Sequence, residues 1–170
     1  MSLMILRHLA ILMLIFIINL LPISQTIHSI MPPWMLIFLF YTSLVFGMSY
    51  LWILVLFTGL MLDVFEVSFL GEHVIALTSS LWSIKLQPNL MHNSTMHKQM
   101  YWLWMVTLIY QMTIFLLSGL LHATFVWYYF VQIFVSSLLS VLLWPSIKTF
   151  LDSFFNKKLQ FAKPRILDQY

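Results

Sequence analysis

The feature that most constrains this chain is a run of 29 residues without a charge, from Trp34 to Leu62. About 20 apolar residues are enough for a helix to cross a bilayer. The rest of the chain has the same character, with 62% hydrophobic residues, 8% charged residues and a mean hydropathy of +0.96. Soluble domains carry roughly a quarter charged residues, because their surfaces face water. The sequence therefore predicts an all-α polytopic membrane protein.

The uncharged run is long for a single crossing, and Gly47–Tyr50 is the only candidate break within it. Two short helices on either side of that break give six crossings in total, whereas one long helix gives five. In the six-crossing arrangement with an inner N-terminus, all eight Lys and Arg residues lie on the inner side. In the five-crossing arrangement, Lys85 and Lys98 lie on the side opposite to Arg7. The tendency of Lys and Arg to remain in the cytoplasm favours six crossings.

The predicted transmembrane domain covers residues 1–155 and the predicted basic cytoplasmic tail covers residues 156–170. Pro22 ends the first apolar run, which we interpret as a retained helix because no Ala-x-Ala-like cleavage site follows it. Ser118 and Gly119 are predicted to end the fifth helix, and Trp144-Pro145 to kink or end the sixth. The six predicted helices lie at about 5–21, 33–46, 50–65, 70–86, 101–117 and 124–150.

Other parts of the pattern predict contacts. Ser136, Ser137 and Ser140 place small residues on one face of the sixth helix, which suits close packing against another helix. The tail mixes phenylalanines with Lys and Arg, and we expect it to contact anionic lipid at the cytoplasmic surface. The basic residues flank apolar runs and form no solvated basic face, so nucleic acid is not an expected partner.

Three of the five acidic residues of the chain lie between two apolar runs, in the stretch from Gly59 to Leu77. Asp63 and Glu66 are three residues apart and would share one face of a continuing helix. They could act as a structural cap or partner contact, bind a ligand or a proton, or catalyse a reaction. The predicted topology places the stretch at the outer face, where Glu66 and Glu72 are expected to reach water.

Catalytic patterns and cofactor sites are not evident in the sequence. The six histidines lack the spacing of a zinc-binding helix and are interpreted as interfacial or solvated. The chain has no cysteine and only four glycines, which excludes thiolate metal sites and glycine-rich phosphate loops. No serine lies in a Gly-x-Ser-x-Gly elbow. We therefore expect no enzyme activity, no catalytic residue, no cofactor and no metal.

Several short motifs resemble the rod shape-determining protein MreD family. They are Pro33-Trp34 at the start of the second predicted helix, Gly59-x-x-Leu62-Asp63 in the third, Leu70-Gly71 soon after, Ala76-Leu77 in the fourth, and Leu143-Trp144-Pro145 near the end of the last. The resemblance extends from about residue 5 to residue 155.

The resemblance implies a non-enzymatic scaffold of the bacterial wall-elongation machinery in the inner membrane, with both termini cytoplasmic. The implied partners are the bitopic protein MreC, MreB filaments, RodA and a class B penicillin-binding transpeptidase. The implied fold is that of the six-helix substrate-binding subunit of energy-coupling-factor transporters. No catalytic residue is carried over. The positions expected to be structural or to contact a partner are Gly59, Asp63, Gly71, Pro33, Trp34 and Pro145.

Two other functions remain open at this point. A small-molecule-binding subunit of a vitamin-type transporter would use the same fold, with Asp63, Glu66 and His122 lining an outward cavity. An intramembrane hydrolase would need an activated serine.

Overall fold

A computed structural model describes residues 2–19, 30–46, 48–66, 68–85, 95–122 and 128–155. These residues form six α-helices and no strand. The helices are α1 (Ser2–Asn19), α2 (Trp34–Phe46), α3 (Met48–Phe65), α4 (Glu72–Lys85), α5 (Met96–His122) and α6 (Tyr128–Phe154).

Helix α2 lies at the centre of the bundle. Every residue from Met35 to Ser43 is buried, on all sides of the helix. A helix that is apolar all round must be surrounded by other helices or by lipid, and α2 packs against α1, α3, α5 and α6. Helix α4 packs against α3 and α5, and α5 also packs against α6.

Two of the described helices are long and apolar enough to cross a membrane, in the ranges Met96–Leu120 and Tyr128–Phe154. The described part of the chain also contains three shorter apolar helical stretches, at Ala10–Asn19, Trp34–Val45 and Leu51–Phe65. The all-helical prediction is confirmed, and the described helices number six as expected. By length and composition, only two of the six described helices are able to cross a membrane.

The helix bounds partly agree with the sequence expectations. Helix α2 ends at Phe46, directly before the predicted break at Gly47–Tyr50, and α3 begins at Met48, inside it. Gly47 itself, most of the loop from Gln87 to Gln99 and the tail at 156–170 lie outside the described residues.

One predicted helix end was wrong, because Ser118 and Gly119 lie inside α5, which continues to His122. Of the two expectations for Trp144-Pro145, a kink or an end, the end is excluded, because Pro145 lies inside α6, which continues to Phe154. A proline removes one backbone donor, here the N–H that would bond to the Val141 carbonyl. The Thr149 hydroxyl donates to the Pro145 carbonyl one turn further on, at 2.8 Å.

The serine face of α6 is confirmed as a packing surface. Ser136, Ser137 and Ser140 are all fully buried. Ser136 joins two other parts of the chain, because its hydroxyl accepts from Gln111 Nε2 of α5 at 2.7 Å and donates to the Met31 carbonyl at 2.7 Å. Small residues let the helices approach closely, and these bonds fix the register between them.

Trp144 is the largest fully buried side chain, and its ring meets the ring of Phe40 edge-on at 5.1 Å between centroids. We expect Trp144→Ala to lower the free energy of unfolding by about 3–5 kcal/mol, because it leaves a cavity between α2 and α6. Denaturant titration of the protein in mixed micelles measures this change. The matched control is Leu142→Ala on the same helix, because Leu142 is 69% exposed; equal losses for the two variants would contradict the packing role of Trp144.

Candidate functional site

The acidic stretch identified in the sequence folds into a corner between two helices. Residues 59–77, called here the Asp63 corner, contain the end of α3, a turn and the first part of α4. Asp63 lies in the last turn of α3 and is only 1% exposed. A buried carboxylate requires hydrogen-bond donors in place of water, and the turn supplies them.

Four hydrogen bonds converge on the Asp63 carboxylate. Oδ2 accepts the Gly71 backbone N–H at 2.6 Å. Oδ1 accepts the His73 backbone N–H at 2.8 Å, faces His73 Nδ1 at 2.9 Å and accepts the Ser68 hydroxyl at 3.2 Å. The first N–H groups of a helix have no partner within it. Asp63 therefore caps α4 from the preceding helix, and its negative charge lies at the favourable end of the α4 dipole.

Each of the two glycines of the Asp63 corner is required for a different structural reason. Gly71 has a φ of +100°, a conformation that favours glycine over any side chain with a Cβ. Gly59 lies where α3 crosses α4, and a Cβ there would be 2.8 Å from the Val74 Cα and 2.9 Å from its nitrogen. The α4 backbone therefore occupies the place of the missing side chain.

His73 lies between two acidic residues and is buried at 3% exposure. Its Nδ1 faces Asp63, and its Nε2 lies 3.3 Å from Glu66 Oε2. A protonated imidazole has an N–H on each nitrogen and would donate to both carboxylates. The interpretation of the histidines as interfacial or solvated was wrong for His73, because the ring is enclosed at the start of α4.

Glu72 also differs from its expected environment. It was predicted to reach water, but it is 5% exposed. The Ser118 hydroxyl of α5 donates a hydrogen bond to Glu72 Oε1. This contact ties the first residue of α4 to the end of α5, which explains how a carboxylate is accommodated there.

A cavity of about 450 Å³ lies beside the Asp63 corner. It is located where α1, α3 and α5 end and where α2, α4 and α6 begin, and this part of the bundle is called here the Asp63 end. The described residues that line it are mostly apolar or aromatic, with a few polar groups: Ile18, Asn19, Met31, Pro32, Pro33, Trp34, Met35, Leu62, Glu66, His73, Tyr110, Gln111, Ile114, Phe115, Ser118, Gly119, Tyr129, Gln132 and Ile133.

The structure divides the six predicted site positions into three groups. Gly59, Asp63 and Gly71 come together in the Asp63 corner. Pro33 and Trp34 line the cavity from the start of α2. Pro145 lies in the second half of α6, away from both.

Sequence reasoning missed His73, Ser118 and Tyr110. The sequence places His73 ten residues from Asp63, and nothing in that spacing indicates a contact. Tyr110 is buried near the His73 ring, with the centroids 6.4 Å apart. Of the residues suggested for an outward cavity, Glu66 lines this one and Asp63 lies behind it; the side chain of His122 is outside the described part.

The corner contains a serine, a histidine and an aspartate, but they are not arranged as a catalytic triad. In a triad the serine faces one imidazole nitrogen and the aspartate faces the other. Here Ser68 Oγ and Asp63 Oδ1 both face His73 Nδ1, at 3.3 Å and 2.9 Å. His73 Nε2 faces Glu66 instead. The described histidines and carboxylates also form no group of three that could hold a metal ion. The arrangement supports packing and binding rather than hydrolysis.

Comparison with known proteins gives one match. A family model described as rod shape-determining protein MreD matches residues 2–154. No curated protein and no solved structure matches the chain.

We expect Asp63→Ala to lower the free energy of unfolding by about 3 kcal/mol, because the backbone N–H groups of Gly71 and His73 and the Nδ1 atom of His73 lose their carboxylate partner. Thermal or denaturant unfolding in micelles measures the loss. The matched control is Glu66→Ala, which removes a carboxylate whose side chain is 39% exposed and should have a much smaller effect. Equal stability of wild type and Asp63→Ala would exclude the capping role.

We expect Gly59→Ala to destabilise the protein by about 1–3 kcal/mol, because the added Cβ forces α3 away from α4. The additional change Val74→Ala removes the Val74 Cγ2 atom, which would lie 2.7 Å from that Cβ. The contacts with the Val74 backbone remain, so the double variant should recover little stability. Full recovery would mean that only the side chain, and not the backbone, fixes the crossing distance.

Proposed function

This chain belongs to the MreD family of rod shape-determining proteins, and we propose that it is a non-enzymatic scaffold of the cell-wall elongation complex. The observation that carries this proposal is the family match across residues 2–154, almost the whole helical bundle. The Asp63 corner is consistent with a scaffold, since its polar groups are used to hold two helices together.

We further propose that the chain crosses the inner membrane six times with both termini in the cytoplasm. Ends of all six helices line the cavity, so consecutive helices run in opposite directions. The 13 residues of α2 and the 14 residues of α4 extend only about 20 Å as helices, shorter than the ~30 Å core of a bilayer. Local thinning of the bilayer and flanking residues outside regular helix accommodate such short spans.

The proposed partners are MreC, MreB filaments, RodA and a class B penicillin-binding transpeptidase. In the six-crossing topology the Asp63 end faces outward. The turn of the Asp63 corner presents Phe69 and Leu70, and Leu70 is 78% exposed. In this proposal Gly59, Asp63 and Gly71 hold the turn in place. Leu70 contacts the partner.

The remaining predicted positions receive structural roles in this proposal. Pro33 and Trp34 start α2 beside the cavity, and Pro145 follows the buried Trp144 in α6. The tail at 156–170 is proposed to contact anionic lipid through its Lys and Arg residues. The alternative of a vitamin-type transporter subunit receives no support from the family match.

The topology can be tested with single cysteines, because the natural chain contains none. Ser24→Cys, Leu70→Cys and Ser94→Cys are treated in intact spheroplasts with a membrane-impermeant maleimide. Six crossings predict labelling at positions 24 and 70 and protection at 94 until the membrane is opened. Protection at 70 together with labelling at 94 would instead support five crossings.

The scaffold function predicts that depletion of the protein makes rod-shaped cells round. Wild type should restore the rods and recover MreC in a pull-down, whereas Leu70→Asp should do neither while keeping its thermal stability. Leu120→Asp is the matched control, since Leu120 is 75% exposed near the same end of the bundle. Cells that stay rod-shaped during depletion would refute the scaffold function, and full rescue by Leu70→Asp would refute only the assigned contact.

A further inference from the structure

The cavity at the Asp63 end has properties of a ligand site that the scaffold function does not use. Its volume of about 450 Å³ falls in the range of small-molecule sites, roughly 300–1,000 Å³. Such sites combine apolar and aromatic walls with a few placed polar groups. Here the walls include Ile114 and Ile133, and the polar groups include Glu66 and Gln111.

The charged groups around the cavity favour a positive ligand. Glu66 is the only carboxylate among the described residues that line it, and no Lys or Arg is among them. Asp63 and Glu72 lie just behind the lining, in contact with His73 and Ser118 respectively. Even with a protonated His73, the three carboxylates leave this end negative. The described lysines lie at the opposite end, where Lys148 Nζ donates to Gln99 Oε1 at 2.8 Å.

Aromatic rings supply a second attraction for a cation. Trp34, Tyr110, Phe115 and Tyr129 all line the cavity. The faces of such rings carry negative charge and attract ammonium and guanidinium groups, most strongly where water is excluded. The aromatic walls and the Glu66 carboxylate therefore both favour a cationic ligand.

We propose that this cavity binds an organic cation, an ammonium or guanidinium group on an apolar stem, with Glu66 as its counterion. An anion would lie next to the Glu66 carboxylate, and no Lys or Arg is among the described lining residues to offset that repulsion. A metal ion would need several carboxylate or imidazole ligands, and the described residues form no group of three that could hold one. An organic cation needs one counterion and aromatic walls, and the cavity offers both.

The test uses the purified full chain in phosphatidylcholine nanodiscs and three fluorinated probes of similar size. The probes are 4-fluorophenethylammonium, the neutral 4-fluorophenethyl alcohol and the anionic 4-fluorophenylacetate. Fluorine NMR line broadening reports binding, with empty nanodiscs as the reference for partition into lipid. The ammonium probe should bind at least about tenfold more tightly than the other two. Equal binding of the three probes would overturn the proposal.

Two variants identify the counterion. Glu66→Gln keeps the shape of the side chain and should weaken binding of the ammonium probe by at least about tenfold. Asp152→Asn causes the same change in net charge at the opposite end, where Asp152 accepts from the Tyr41 hydroxyl, and should leave binding unchanged. Tyr129→Leu should weaken binding by a smaller factor. Unchanged binding in Glu66→Gln, with stability retained, would also overturn the proposal.

The natural cation could be a basic side chain of a partner or a small amine, and two observations separate these sources. A photo-crosslinker at Tyr129, which lines the cavity and is 46% exposed, should capture a partner protein in a Glu66-dependent way in the first case. Native mass spectrometry should detect a bound amine in the second case. Absence of both would count against a physiological site. Because the probe experiment uses purified protein, its failure is distinguishable from failure of the scaffold function in cells.

Discussion

The capping of α4 by the Asp63 carboxylate is the interaction on which the Asp63 end depends. A carboxylate with 1% exposure is stable only if donors replace its lost water. Gly71, His73 and Ser68 provide them, all within ten residues along the chain. The same bonds satisfy the N–H groups of Gly71 and His73 at the start of α4, which have no partner within the helix. The same hydrogen bonds therefore stabilise both the buried carboxylate and the start of the helix.

Several other features follow from that contact. Because α4 begins directly beside the end of α3, the two helices cross closely enough that Gly59 cannot carry a Cβ. His73 is held with its second nitrogen toward Glu66, and Glu72 is placed next to Ser118 of α5. The carboxylates gather at one end of the bundle, and the cavity lies beside them. The negative charge beside the cavity is therefore a consequence of the capping of the α4 N-terminus by a carboxylate.

The sequence predicted the class of fold and the location of the site, but not its contacts. The absence of charge from Trp34 to Leu62 left one long helix or two short ones open, and the placement of Lys and Arg favoured the two helices that the structure contains. The position of the stretch from Gly59 to Leu77 between two apolar runs, together with the predicted topology, indicated a connection between two helices. The burial of His73 and Glu72 was not predictable, because it depends on Ser118 and Tyr110 of α5, distant in sequence. The helix end at Ser118 was predicted wrongly, because packing of α5 against α6 outweighed the local helix-breaking tendency of Ser118 and Gly119.

Amide hydrogen exchange at Gly71 and His73 tests the central claim most directly, since these are the two backbone N–H groups that Asp63 accepts. Exchange is compared between wild type, Asp63→Ala and Glu66→Ala in the same micelles. We predict that both amides exchange at least about tenfold faster in Asp63→Ala than in wild type, a loss of about 1.4 kcal/mol of local protection. The amide of Leu77, farther along α4, should change much less, and Glu66→Ala should resemble wild type. Unchanged exchange at Gly71 and His73 in Asp63→Ala would contradict the account.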